Sequence, residues 1–364
     1  MNFLKSIFAK KDEPIKSYED FWNWFTRNEK KFFKAVETGE NIEADFFNAL
    51  SLKLGEIKEG FYYLTGMYDN NIVELILTAE GNVNNIVFVE ELVKTSPELK
   101  GWKFTALKPA LDIADVNIDM DGYKFNKNNI SFYPTVHTEY PDEIDITIVH
   151  DDFSDNNEAT ITNGVYIFLD NFLGELKFAT TIDNLNVIGS SKIANELIPV
   201  EKLKDFLVWR EKEFVEKYEG IKQNTDSSNF VSLKTQLNDG NVLLAIVNDD
   251  LLNWDKKASH PWILNFAIKY LDVNGSGMPD DTSYKLLEDL ENEMIMQLKD
   301  CEGYLNIGRQ TGAGMREIYF ACKNFRKPSK VAHLIRQKYA GEFEITYDIY
   351  KDKYWQSFER FRIT

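Results

Sequence analysis

Residues 307–322 read IGRQTGAGMREIYFAC, and the reading of this stretch decides the fold of everything after about Phe230. Leu305 and Ile307 alternate with polar or small neighbours, and Ile318, Phe320 and Cys322 alternate with Glu317, Tyr319 and Ala321. That is the period of a half-buried strand. Gly312 and Gly314 stand between the two runs, where a tight reversal needs residues that tolerate positive φ. The stretch therefore predicts a hairpin with Arg309 and Arg316 on its two arms.

The flanks extend the pattern. Trp262, Leu264, Phe266, Ile268 and Tyr270 fall on one face of a predicted strand. Leu286, Leu287, Leu290, Met294 and Leu298 recur at helical spacing, with Asp280, Asp281 and Thr282 as cap candidates. Residues 328–339 predict a shorter helix, with Pro328 suited to its first turn. In the last run Phe343, Ile345, Tyr347 and Ile349 alternate with Glu344, Thr346 and Asp348. The order strand, helix, strand, strand, helix, strand predicts an α+β chain ending in a ferredoxin-like βαββαβ domain.

The segments HPWILNFAIKYL (260–271), GSGMPDDTSYKLLEDLE (275–291) and NIGRQTGAGMREIYFAC (306–322) resemble the bacterial domain-of-unknown-function family 695. The resemblance covers roughly residues 230–364, and its most specific part is the T-G-x-G-x-R-E run from Thr311 into the aromatic strand ending at Phe320. The family has no assigned activity, so the resemblance implies a fold and carries over no catalytic residue.

Nearer the start, residues 1–16 carry Phe3, Leu4, Ile7 and Phe8, but Lys5 interrupts them and no small-residue cleavage site follows. This is too short and too charged for a signal peptide, and no run of 18 apolar residues occurs. A cytoplasmic location is expected. Two cysteines, Cys301 and Cys322, outside any C-x-x-C pair, suit a reducing compartment. Aromatic residues from Phe21 to Phe33 and apolar residues from Phe46 to Leu54 predict two amphipathic helices over 18–36 and 42–57. Their stripe is that of a core.

Between Gly60 and Pro109 the pattern is strand (61–67), strand (73–78), helix (86–93), strand (102–107). A similar order recurs as strands over 130–133 and 144–149, a helix over 165–176 and a strand over 185–188, before a helix over 199–218. Two copies of one strand-strand-helix-strand unit in a single sheet are expected. The polar, aperiodic residues 220–229, GIKQNTDSSN, predict a linker. The expected domains are thus a helical segment over 1–58, an acidic α+β domain over 59–219, and the ferredoxin-like domain over 230–364.

Charge separates the two parts. Residues 1–225 hold 39 acidic and 24 basic side chains, a balance of -15, and residues 226–364 hold 20 and 18, a balance of -2. Between Asn128 and Leu176 there are ten carboxylates and no Lys or Arg. Such a field repels nucleic-acid phosphates and anionic lipid, so neither nucleic acid nor membrane is an expected partner. Glu139, Asp142, Glu143, Asp145, Asp151, Asp152 and Asp155 are candidates for docking a basic protein.

Chemistry-bearing motifs are few. His137, His150, Asp151 and Asp152 suggest a metal site only weakly, because neighbours in an extended segment point to opposite faces. Residues 272–283 resemble a calcium loop in spacing, but Ser283 stands where a bidentate Glu is required and Pro279 interrupts. No metal or cofactor is expected. The sequence GRQTGAG lacks the Lys-Ser/Thr ending of a phosphate loop, and neither G-x-S-x-G nor H-E-x-x-H occurs. What remains is the hairpin, where Arg309, Thr311, Gly312, Gly314, Arg316 and Glu317 are candidates for holding a carboxylate or phosphate, with Glu317 placed to pair with an arginine. The expected function is a non-catalytic interaction or regulatory protein whose acidic part docks a basic partner. The alternative is an enzyme or small-anion-binding protein with a cleft near that hairpin.

Overall fold

The structure, a computed structural model, describes residues 14–237, 240–273 and 275–362. The apolar tip read at Phe3 to Phe8 lies outside them. The chain divides into two compact units, one running up to Ala110 with Gly174–Leu176 added, the other comprising Leu111–Leu173 and Lys177 onward. Helices and strands are mixed throughout, so the chain is α+β. Among the described residues no helix is long and apolar enough to cross a membrane.

Unit 1 opens with α1 (Tyr18–Thr38), which Ser17 caps by accepting from the Asp20 N–H at 3.1 Å and Gly39 ends at φ 70°. The predicted aromatic stripe is core: Phe21, Trp22, Trp24, Phe25 and Phe32 are buried, and Trp22 meets Phe104 with ring centroids 4.6 Å apart. The second predicted helix begins as a π-helical turn over Glu43–Phe47 and continues as α2 (Asn48–Ile57). Then come β1 (Tyr62–Asp69), β2 (Ile72–Thr78), α3 (Val83–Lys94) and β3 (Trp102–Ala106). β1 pairs antiparallel with β2, and β3 returns parallel to it after the helix.

Unit 2 begins with the small hairpin β4 (Ile118–Met120) and β5 (Tyr123–Phe125), then β6 (Ile130–Thr135), β7 (Asp145–His150) and α4 (Glu158–Leu173). α5 (Glu175–Thr181), which belongs to this unit from Lys177 on, β8 (Asn184–Ile188), β9 (Ile198–Pro199) and α6 (Leu203–Tyr218) follow. The sheet order is β8-β7-β6-β9, with β8 parallel to β7. Phe132, Ile146 and Ile148 bury against Val165, Phe168, Leu169 and Phe172 of α4. Both strand-strand-helix-strand units exist, but in two separate sheets where a single sheet was expected. Apolar period records which face of a strand is covered and says nothing of which edge it pairs with. Each unit completes its own pairing.

Beyond α6, residues 221–229 carry no regular element, and Thr225 is fastened by its N–H to Asp300 at 2.9 Å. The stretch read as a linker runs inside unit 2. β10 (Phe230–Gln236), β11 (Val242–Asn248), the short α7 (Asp249–Leu252), β12 (Trp262–Lys269) and α8 (Asp281–Gln297) follow. The chain continues as β13 (Tyr304–Gly312), β14 (Met315–Cys322), α9 (Arg326–Lys338) and β15 (Glu344–Lys351), closing on a 3-10 turn over Gln356–Phe361. The sheet has six strands in the order β10-β11-β13-β14-β12-β15, all neighbours antiparallel. Asp280 caps α8, accepting from the Ser283 N–H at 2.8 Å.

The predicted hairpin is β13–β14, with a refinement at the turn. Ala313 and Gly314 make the reversal at φ 51° and 75°, whereas Gly312 is a strand residue opposite Met315. Gly312 is needed for a different reason: a Cβ there would lie 2.4 Å from the Val242 carbonyl oxygen on the adjoining strand. β14 is also covered on both faces. Ile318 and Phe320 lie on one face, while Tyr319 and Ala321 join Ile263, Leu305, Trp355, Phe358 and Phe361 in a second core. The half-buried reading missed this because Tyr319 and Ala321 pass for surface residues in a strand of alternating character.

Candidate functional site

Strand period settles the hairpin candidates first. Thr311 pairs with Arg316 across β13–β14, so Arg309, Thr311 and Arg316 share one face and Gln310 and Glu317 the other. Arg316 is 1% exposed; its Nε donates to Thr311 Oγ1 at 3.0 Å, and its Nη1 stands 3.6 Å from Glu291 Oε2, an ion pair too long for a hydrogen bond. Arg309 reaches the same carboxylate oxygen at 2.7 Å. The pairing with Glu317 is therefore corrected: helix α8 supplies Glu291 as the partner, and Glu317 bonds Gln310 and, at 3.2 Å, Asn265. Neither arginine lines any of the clefts described next.

Those clefts gather in unit 2, around the loop from Val136 to Ile144 and the residues after β15. One, of about 510 Å³, is lined by His137, Tyr140, Glu143, Asp145, Asp183, Asn184 and the residues from Tyr350 to Lys353. β7 begins at its edge, so Asp145, its first residue, is held rigidly with its side chain 10% exposed. Asp145 Oδ2 takes a hydrogen bond from His137 Nε2 at 2.7 Å, and Oδ1 one from Asn184 at 2.8 Å. A carboxylate only accepts, so Nε2 carries the proton and the lone pair of neutral His137 sits on Nδ1. The imidazole is 43% exposed. Burial, and then the neighbouring Asp145 and Asp183, push the Glu143 carboxyl above the ordinary range.

The back wall is a lysine clamp. Lys351 Nζ lies 2.8 Å from Asp183 Oδ1 and Lys353 Nζ 2.7 Å from Oδ2, while the Ile144 N–H donates to Oδ2 at 2.7 Å. Lys353, 2% exposed, also donates to the Asp142 carbonyl at 2.6 Å. Burial, and then Lys351, bring the Lys353 ammonium down to about 8. These bonds seat the strand end of β15 against the loop that carries Glu143. Next to the clamp, Asp142 accepts from Lys217 at 2.7 Å, Tyr218 at 2.7 Å and Tyr354 at 2.8 Å. Burial acts to raise the Asp142 carboxyl, but these three bonds hold it below its ordinary value.

The docking candidates are thus split. Asp142 and Asp145 are turned into bonded clusters and Glu143 into the cleft, leaving Glu139, Asp151, Asp152 and Asp155 exposed. Glu139 precedes β7 and the three aspartates follow it, so they flank opposite ends of a six-residue strand. His150 is buried, with Nε2 2.9 Å from the Lys124 carbonyl and Nδ1 accepting from the Asp152 N–H at 3.2 Å. It lies at the other end of β7 from the His137–Asp145 pair. Asp272, first residue of the calcium-like spacing, spends its carboxylate on the N–H groups of Ser276 and Gly277 at 3.1 and 2.8 Å. Among the described residues no group of three or more His, Cys, Asp or Glu is placed to hold a metal ion.

Sequence reasoning named His137 only as a weak metal ligand and missed Asp183, Lys351 and Lys353. The one local signal is the Lys-Asp-Lys spacing of 351–353, which in an extended segment sends both lysines to one side. Their partner is 168 to 170 residues away in sequence, by subtraction of 183 from 351 and 353. No curated protein and no solved structure matches the chain. Residues 232–362, from β10 through the 3-10 turn, match the family of unknown function DUF695.

Proposed function

We propose that the chain is an acid–base catalyst acting on a small polar ligand bound in the cleft of His137, Glu143 and Asp145. In this reading His137 Nδ1 accepts a proton, Asp145 orients the ring and stabilises the imidazolium that forms, and Glu143 donates a proton. The observation that carries it is the 2.7 Å His137–Asp145 bond at the mouth of an open cleft, beside a carboxyl displaced upward by burial and then by its acidic neighbours. This keeps the enzyme or small-ligand alternative and moves its site away from Arg309 and Arg316. A library of small metabolites screened against the full chain by thermal shift is expected to give stabilising compounds whose effect is lost in both His137→Ala and Glu143→Gln. Compounds that stabilise all three proteins equally would place binding elsewhere and end the reading.

A second reading, docking of a basic protein, rests on the exposed Asp151, Asp152 and Asp155. It predicts capture of a basic protein that is released by salt and lost when all three are changed to Asn. A captured protein unaffected by that triple substitution would refute it.

A further inference from the structure

Tyr140 lines a second cleft as well, of about 480 Å³, whose other walls are Asn253, Trp254, Asp255, Lys257, Ala258, Tyr354, Glu359 and Arg362. Its carboxylates are committed: Glu359 pairs with Arg362 at 3.1 Å, and Asp255 lies 3.7 Å from Lys256. Lys257 is different. Its side chain is half-buried and among the described residues makes neither a hydrogen bond nor an ion pair, and burial, then Arg362, disfavour its charge against the opposing pull of Glu359 and Asp352. A half-buried ammonium with no counter-ion in direct contact is costly, and here it lines the cleft together with the guanidinium of Arg362 and the indole of Trp254. Arg362 donates Nη2 to the Leu252 carbonyl at 3.2 Å and Nη1 to Glu359, which fixes its fork at the rim.

We propose that this second cleft binds an oxyanion, carboxylate or phosphate, with Lys257 as its principal partner and Arg362 as the second. It is the anionic end of the ligand whose reacting end lies at His137. Tyr140 stands in the walls of both clefts and its ring packs on Tyr354 with centroids 5.1 Å apart, so in this proposal the middle of one elongated molecule lies at this aromatic pair. The substrate class is then a small metabolite with a terminal carboxylate or phosphate and a proton-exchanging group at the other end. The second half of this statement rests on the function proposed above; the oxyanion site stands without it.

The test is calorimetric titration of the full chain with inorganic phosphate and, separately, acetate and succinate at constant ionic strength. Saturable binding of phosphate alone assigns a phosphate ligand, and of the carboxylates alone a carboxylate ligand. Either is expected to weaken about tenfold or more in Lys257→Gln, the loss of one charge-assisted hydrogen bond, and to weaken in Arg362→Gln. Lys256→Gln, beside it but paired with Asp255, is the control and is expected to bind as the parent does. No saturable binding of any of the three, or binding that Lys257→Gln leaves intact, overturns the proposal. His137→Ala is expected to retain the anion, so loss of the oxyanion site and loss of the His137 reading are separately visible.

Discussion

At the scale of single residues, buried charge decides the behaviour of this chain. Lys353 has its ammonium brought down to about 8 from 10.5 by burial and by Lys351. Between those values the unfolded chain holds the proton that the folded chain has released, so this group makes stability rise with pH across that window, with a slope of up to about 1.4 kcal/mol per pH unit. Urea unfolding from pH 7.5 to 10.5 is expected to show this component in the parent protein and its loss in Lys353→Met; parallel curves for the two would refute it. The Arg309–Glu291–Arg316 group carries two guanidinium charges on one carboxylate, itself raised by burial. Glu291→Gln leaves a 1%-exposed arginine with no opposite charge among its ion-pair partners. It is expected to cost about 3 kcal/mol or more in urea unfolding, whereas Glu291→Leu combined with Arg316→Met is expected to cost less, because no buried charge is then stranded. A double variant as unstable as the single one would show that the arginine contributes by packing alone.

At the scale of elements, two close approaches hold helices in place. A Cβ on Gly164 of α4 would lie 2.0 Å from the ring of Phe125 on β5, a ring wholly buried in the core. Gly164→Ala is expected to destabilise unit 2 by about 1–3 kcal/mol, the usual cost of overpacking, despite alanine's better helix propensity. Adding Phe125→Leu is expected to recover part of that loss in a double-mutant cycle. In unit 1, Glu175 accepts from Thr78 Oγ1 at 2.6 Å and from the N–H groups of Ala79, Gly81 and Lys108 at 2.9 to 3.0 Å. Glu175→Gln leaves donors facing an amide where a carboxylate stood, at a cost of about 1–3 kcal/mol. Faster amide exchange at Ala79 and Gly81 is the expected signature, and unchanged exchange there would count against it. Elements of this kind were legible where local chemistry fixes them. The cap at Asp280, the aromatic face of α1 and the glycine turn after Gly312 all follow from residues within a few positions of one another. The cleft was not legible, because His137, Asp183 and Lys353 are joined only through tertiary approach, and a carboxylate bound by two lysines reads in sequence like any surface Asp.

At the scale of the whole molecule, composition suggested a boundary at 220–229, dividing an acidic part from a nearly neutral one. The first compact unit instead ends at Ala110, and the four-stranded and six-stranded sheets share the second. The lysine clamp accounts for that. Asp183, beside β8, is the shared acceptor of Lys351 and Lys353 at the end of β15, and Asp142 receives Tyr354 and, through its carbonyl, Lys353. A buried carboxylate of the acidic part is thus compensated by two lysines of the other, and low exposure strengthens the pairing. Asp183→Asn removes the negative charge while keeping the shape, stranding two lysines that are 15% and 2% exposed. Native-state hydrogen exchange on the full chain is expected to speed up in β7 and β15 together, by the factor that corresponds to the loss in global stability, about a hundredfold for 3 kcal/mol. Acceleration in β15 with β7 unchanged would mean that the two sheets open independently, and the boundary at 220–229 would then be the functional one.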